Sequence, residues 1–169
     1  MVFNRKTKFI FCLFIFALCG CSLSNSINSE NIGVNRKEYS IKESKDVILK
    51  IYSYKDGKLK LENEAKMHTN KWIIENNKDS IEYGQYTSKN GDYTTRSFLL
   101  NKHEKEYSEE KGYFYEKIDI NYGEEYVTFI KTFNNNSKDV TTFENPLLFK
   151  NIVFKNDISF AYVVTVEVK

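Results

Sequence analysis

From about residue 37 onward apolar residues recur at every second position rather than every third or fourth, so the chain predicts strands. The clearest run is at the C-terminus. Ile158, Phe160, Tyr162, Val164, Val166 and Val168 alternate there with Ser159, Ala161, Val163, Thr165 and Glu167. One face of that strand is wholly apolar, which predicts a central, well-buried position with Glu167 on the tolerant side. Leu59 and Leu61 alternate with Lys58, Lys60 and Glu62 in the same way. Val127, Phe129 and Phe133 are expected to share a face opposite Tyr126, Thr128, Ile130 and Thr132.

Turn chemistry separates these runs. Asp56-Gly57 and Asn90-Gly91 lie between strand-like segments, and both pairs accept the positive φ of two-residue hairpin turns. Gly123, the asparagines at 134–136 and Asn156-Asp157 mark later turns. About ten strand-like segments at short spacing predict a mainly β fold. The expected form is an antiparallel meander in a barrel-like or strongly curved sheet, with at most short helices. A sandwich is the alternative. The helical candidates are 100–111, rich in Glu and Lys but without an apolar stripe, and a short stretch near 43–50.

The first residues follow a different rule. Arg5, Lys6 and Lys8 precede an unbroken apolar run at 9–19, and polar sequence follows Cys21 abruptly. A basic flank before eleven apolar residues has the form of an export signal, and it is too short for a permanent transmembrane helix. Leu18-Cys19-Gly20-Cys21 resembles the lipobox of bacterial lipoproteins: a branched apolar residue, a variable one, a small one and cysteine. The resemblance covers only this segment. It implies cleavage between Gly20 and Cys21 and a thioether-linked diacylglycerol on Cys21, with further acylation such as palmitate. Two acyl chains, at about 0.8 kcal/mol per buried methylene, anchor stably where one is marginal. The expected organisation is a cleaved signal peptide at 1–20, a lipidated Ser/Asn-rich flexible tether at 21–36, and a β-rich soluble domain at 37–169.

Charge and cysteine usage change once the leader is removed. Of 25 basic residues, the three in the leader leave 22, against 23 acidic, so the mature chain is near −1. That balance gives no electrostatic reason to expect nucleic acid. Cys12 and Cys19 leave with the leader and Cys21 is consumed by lipid, so no disulfide or cysteine-based metal site is expected.

Candidate chemistry is sparse. His68 and His103 have no ligand-spaced partner, and GxSxG, SxxK and P-loop motifs are absent. No cofactor and no catalytic residue is therefore expected. Glu109-Glu110 and Glu124-Glu125 are the only adjacent acids suited to a carboxylate pair for hydrolysis. The aromatic residues stand out more. Trp72, Tyr83, Tyr86, Tyr93, Tyr113 and Tyr115 are either cross-strand packing or an exposed binding face. The expected function is a non-catalytic binding, shielding or immunity-type domain. It would be anchored to the cell membrane or outer membrane outside the cytoplasm, with an envelope or extracellular protein or a glycan as partner. The alternative is a carrier holding a lipid or other apolar ligand in a barrel cavity, and a carboxylate-based hydrolase comes behind it.

Overall fold

A computed structural model describes residues 25–87, 91–101, 109–116, 118–134, 148–154, 158 and 160–169. Its strands are β1 (Ser26–Gly33), β2 (Arg36–Lys55), β3 (Lys58–Asn76), β4 (Ser80–Thr87), β5 (Asp92–Leu99), β6 (Glu109–Phe114), β7 (Ile118–Asp119), β8 (Glu125–Asn134) and β9 (Phe160–Val168). A 3-10 turn at Phe149–Asn151 is the one helical element among the described residues. The strands form one antiparallel sheet in the order β5-β4-β3-β2-β9-β8-β6, with β1 pairing β2 and β7. The fold is mainly β, as the period of two requires, and the sheet curls strongly into a half-barrel.

The hairpin β2–β3 sets that shape. Asp56 (φ 51°) and Gly57 (φ 76°) both take the left-handed backbone that a tight primed turn demands, and Lys55 pairs Lys58 across it. Further along, Ser40 pairs Lys71 but Lys45 pairs Thr69, so residues 41–44 face Asn70 alone. Surplus residues on one strand bend it and raise its twist. At this bend β2 also changes neighbours, from β1 on its N-terminal half to β9 on its C-terminal half. The two halves of the hairpin thereby face each other, and the core fills the space between.

Large rings occupy that space. Tyr39 and Trp72, both fully buried, stack with centroids 5.9 Å apart. The Tyr39 hydroxyl donates to the carbonyl of Thr128 at 2.7 Å, joining β2 to β8 across the interior. Phe98 of β5 meets Tyr162 of β9 edge-on at 5.6 Å. Lys131, also fully buried, donates to the carbonyls of Asn77 and Lys78 at 2.8 and 3.3 Å and so satisfies the β3–β4 turn. A side chain at Gly112 would meet the Asn76 amide nitrogen at 2.6 Å and the Phe129 ring at 3.1 Å, so glycine there lets β6 lie close against the end of β3 and the Phe129 ring.

Four expectations change. Residues 21–24 lie outside the described residues, and the expected tether at 21–36 does not extend through Ser26–Gly33, which is strand β1 with Ile27 fully buried. Its Ser and Asn side chains are those of a strand with one solvated face rather than of a linker. The helix near 43–50 is part of β2, where Val47, Leu49 and Ile51 point into the core. Of the helical candidate at 100–111, residues 102–108 lie outside the described residues, and 109–111 begin β6. Finally, a bulge at Thr128 lets Val127 pair Thr165 and Phe129 pair Val164, so Val127 shares a face with Ile130 and not with Phe129. The other expected turns at Asn90, 135–136 and Asn156-Asp157 lie outside the described residues.

Candidate functional site

The six aromatic residues singled out in the sequence fall in different surroundings. Trp72, Tyr83 and Tyr115 are buried, which removes them from any surface contact. Tyr83 accepts a hydrogen bond from Asn63 at 2.7 Å, and burial drives the Tyr115 hydroxyl well above its ordinary pKa. Tyr113 is half-buried on β6, opposite Ile130.

Tyr86 and Tyr93 come together on the outer face of β4 and β5, edge to face at 5.5 Å. The β5 backbone crosses so close over Gly84 that a side chain there would lie 2.4 Å from the Thr94 carbonyl. Tyr93 consequently reaches back to donate a hydrogen bond to Glu38 on β2. Lys71 donates to the same carboxylate at 3.1 Å and lies over the Tyr86 ring, while Arg36 lies over Tyr93 and pairs Glu75. Burial, reinforced by Glu38, raises the Tyr93 hydroxyl far above its usual range. Every charge in this cluster has a partner, which suits it to holding the hairpin in place.

The acids and histidines are similarly committed. Glu124 pairs Lys150 at 3.0 Å and accepts from Asn121 and Tyr126, whereas Glu125 pairs Lys50 at 2.7 Å and accepts from Thr165. Held by separate partners, they do not converge on a common point as a hydrolytic pair would. The side chains of Glu109 and Glu110, and all of His103, lie outside the described residues. His68 is exposed and bonded to Asp46 at 2.7 Å. Among the described residues no group of three metal-ligating side chains gathers. Gly20 and Cys21 precede the described residues.

The least committed surface is the outer face of the β2–β3 hairpin. Direct pairing puts Tyr52 beside Leu61 and Val163, and Tyr54 beside Leu59 and Ala161. The segment 148–154 runs over this face, with Phe149 stacked on Tyr52 at 4.3 Å and Phe154 on Tyr54 at 4.0 Å. It buries Val163 and Ala161 and leaves the rest of the face open: Leu59 is 38 % exposed, Leu61 47 % and Val153 74 %. Lys55, Lys58 and Lys60 project from the opposite side of the hairpin, beside Ser53 and Glu62, and Lys60 pairs Glu62 at 3.1 Å. Lys50, Glu125, Thr165 and Glu167 continue the same face as a hydrogen-bonded network. Burial and the neighbouring Glu125 push the Tyr52 hydroxyl up to about 12.

The sequence contains a trace of this face. In the run from Val47 to Tyr54 the apolar and aromatic residues occupy both parities, which marks a strand contacted on both sides. Nothing local links that run to Phe149 and Phe154, about a hundred residues away. No protein-family model, curated protein or solved structure matches the chain.

Proposed function

We propose that the chain is a lipid-anchored envelope protein whose β-domain is a non-catalytic binding module, contacting its partner through the outer face of the β2–β3 hairpin. The supporting observation is the patch of Leu59, Leu61 and Val153, exposed around two stacked aromatic pairs. Apolar side chains with rigid rings at their centre and charge at the rim are the features of a protein contact surface. At one edge of the patch Lys50, Glu125 and Glu167 form a charged, hydrogen-bonded network, so the matching partner is a protein with an apolar centre and a polar edge. The anchor rests on the lipobox at Leu18 to Cys21. The carrier alternative has less support, because Trp72, Tyr39, Tyr162 and Phe129 fill the interior.

Two measurements test this. Fatty-acid labelling of cells should mark the wild type and not Cys21→Ser, and equal label on both sinks the anchor. A photo-crosslinking residue at Leu61 should form a protein adduct in cells that is lost when Leu59 is changed to Asp. The same group at Lys66, on the same strand but away from the patch, should not. Adducts that ignore both changes overturn the binding face.

A further inference from the structure

We infer that the lipid holds the domain end-on, with the Asn25 end against the bilayer and the hairpin tip presented outward. This rests on the lipid-anchor reading and adds which way the binding face points. The carbonyl of Asn25 accepts from the Ile120 amide at 2.8 Å, and its side chain accepts from the Tyr122 hydroxyl at 3.3 Å. The next residue after Tyr122, Gly123, donates its amide to the Val168 carbonyl at 2.8 Å. Asn25 therefore sits beside the C-terminal end of β9. At the other end of β9, Phe160 pairs Lys55, the last residue before the hairpin turn. Eight residue steps separate the two ends, about 26 Å at ~3.3 Å per step.

The link to the lipid is shorter than that. Cys21 and Asn25 are four peptide units apart, which span at most about 14 Å in any conformation. Asn25 cannot slip to lengthen it, because Ile27 is buried in the core and β1 is bonded to both β2 and β7. Moreover, β1 lies on the half of the sheet carrying β4 and β5, while the patch is on the outer face of the other half. A 14 Å leash at one end and on one side leaves the hairpin face pointing away from the anchoring membrane. Its partner is then a protein arriving from beyond the surface, not the lipid beneath.

The experiment uses the full, lipidated chain in vesicles of phosphatidylethanolamine and phosphatidylglycerol that carry an acceptor dye on the lipid. A donor dye is placed on Asp56→Cys at the tip or on Glu43→Cys, which lines a cleft of about 660 Å3 shared with Asn25 and Tyr122. After cleavage the only native cysteine is Cys21, whose thiol is blocked by its thioether to diacylglycerol. Energy transfer should be several-fold stronger from position 43 than from position 56. Inserting about 20 Gly/Ser residues before Asn25 should bring the two close together, since a flexible leash of that length frees the domain to turn. Equal transfer in the native chain, or stronger transfer from position 56, overturns the orientation and means that the hairpin face lies on the lipid. A difference that survives the insertion overturns the leash as its cause. Absence of fatty-acid label on the wild type removes the anchor reading itself, a failure distinguishable from the other two.

Discussion

Glu167 shows how much a single residue depends on neighbours that its own strand does not reveal. On β9 it occupies the polar face, where alternation suggests free substitution. Yet its side chain is only 14 % exposed and lies 3.5 Å from Lys50 and 3.2 Å from Lys169. Glu167→Lys would set three cations together, and a loss of about 1 kcal/mol is expected in urea denaturation, larger at low salt. Tyrosine ionisation supplies a second prediction at this scale. Burial raises the hydroxyls of Tyr39 and Tyr115, and burial with the nearby Glu125 raises Tyr52. A group whose folded pKa exceeds its unfolded value of about 10 contributes stability below pH 10 that is lost as pH rises further. Absorbance at 295 nm should therefore show Tyr39 ionising only with unfolding, at alkaline pH. Complete, reversible titration of all twelve tyrosines near pH 10 without loss of structure would contradict the burial.

At the scale of elements, β1 and β9 carry the clearest predictions. β9 lies between β2 and β8 and is buried on both faces except at Glu167, so truncation after Asp157 should abolish folding. Five inward apolar side chains at roughly 1.5–3 kcal/mol each approach or exceed a typical stability of 5–15 kcal/mol. Tyr162→Asp should come close to the same result, because it puts a charge among Phe98, Phe133 and Phe160. β1 is subtler. A chain beginning at residue 37 loses Ile27 and exposes the N-terminal half of β2 as an edge. Compared with one beginning at residue 25, it should be less stable by at least about 2 kcal/mol. Identical urea midpoints would return β1 to the status of a tether. The reason β1 escapes a period-two reading is visible in its composition: Ile27 alone is buried to the core, and Ser, Asn and Glu fill most other positions.

For the molecule as a whole, the curled sheet separates two kinds of aromatic surface. The ring cluster around Tyr93 and Glu38 is closed by hydrogen bonds and ion pairs, whereas the hairpin face is left open at Leu59, Leu61 and Val153. Changing Leu59 and Leu61 to Asp and Lys should leave the melting temperature nearly unchanged, since exposed substitutions typically stay within about 0.5 kcal/mol. The same pair should eliminate the crosslink at the patch, read from a probe at Val153. A fall in melting temperature of more than about 8 °C would show that the leucines stabilise the fold instead.

Much of the fold was legible in the order of residues, and the site hardly at all. Alternation is a local property of the extended backbone, so the strands at 59 to 61 and 160 to 168 could be read one at a time, whereas the run from 47 to 54, apolar on both parities, also admitted a helix near 43–50. Turn chemistry is local too, and Asp56-Gly57 turns where it must. What alternation cannot tell is which face another part of the chain will cover. Leu59 and Leu61 follow the same rule as Val164 and Val166, but the first pair faces outward and the second faces the core. That difference arises from the bend at 41–44, from the insertion of β9 between β2 and β8, and from the laying of 148–154 across Tyr52 and Tyr54. Each joins residues far apart in the chain, so tertiary structure alone decided it. By itself, the sequence determined that this protein is built of strands, where its clearest hairpin turns, and that its first residues have the form of a lipoprotein signal. Tertiary packing decided which apolar residues became core and which remained available to a partner, because burial belongs to the pairing of distant strands and not to any one of them.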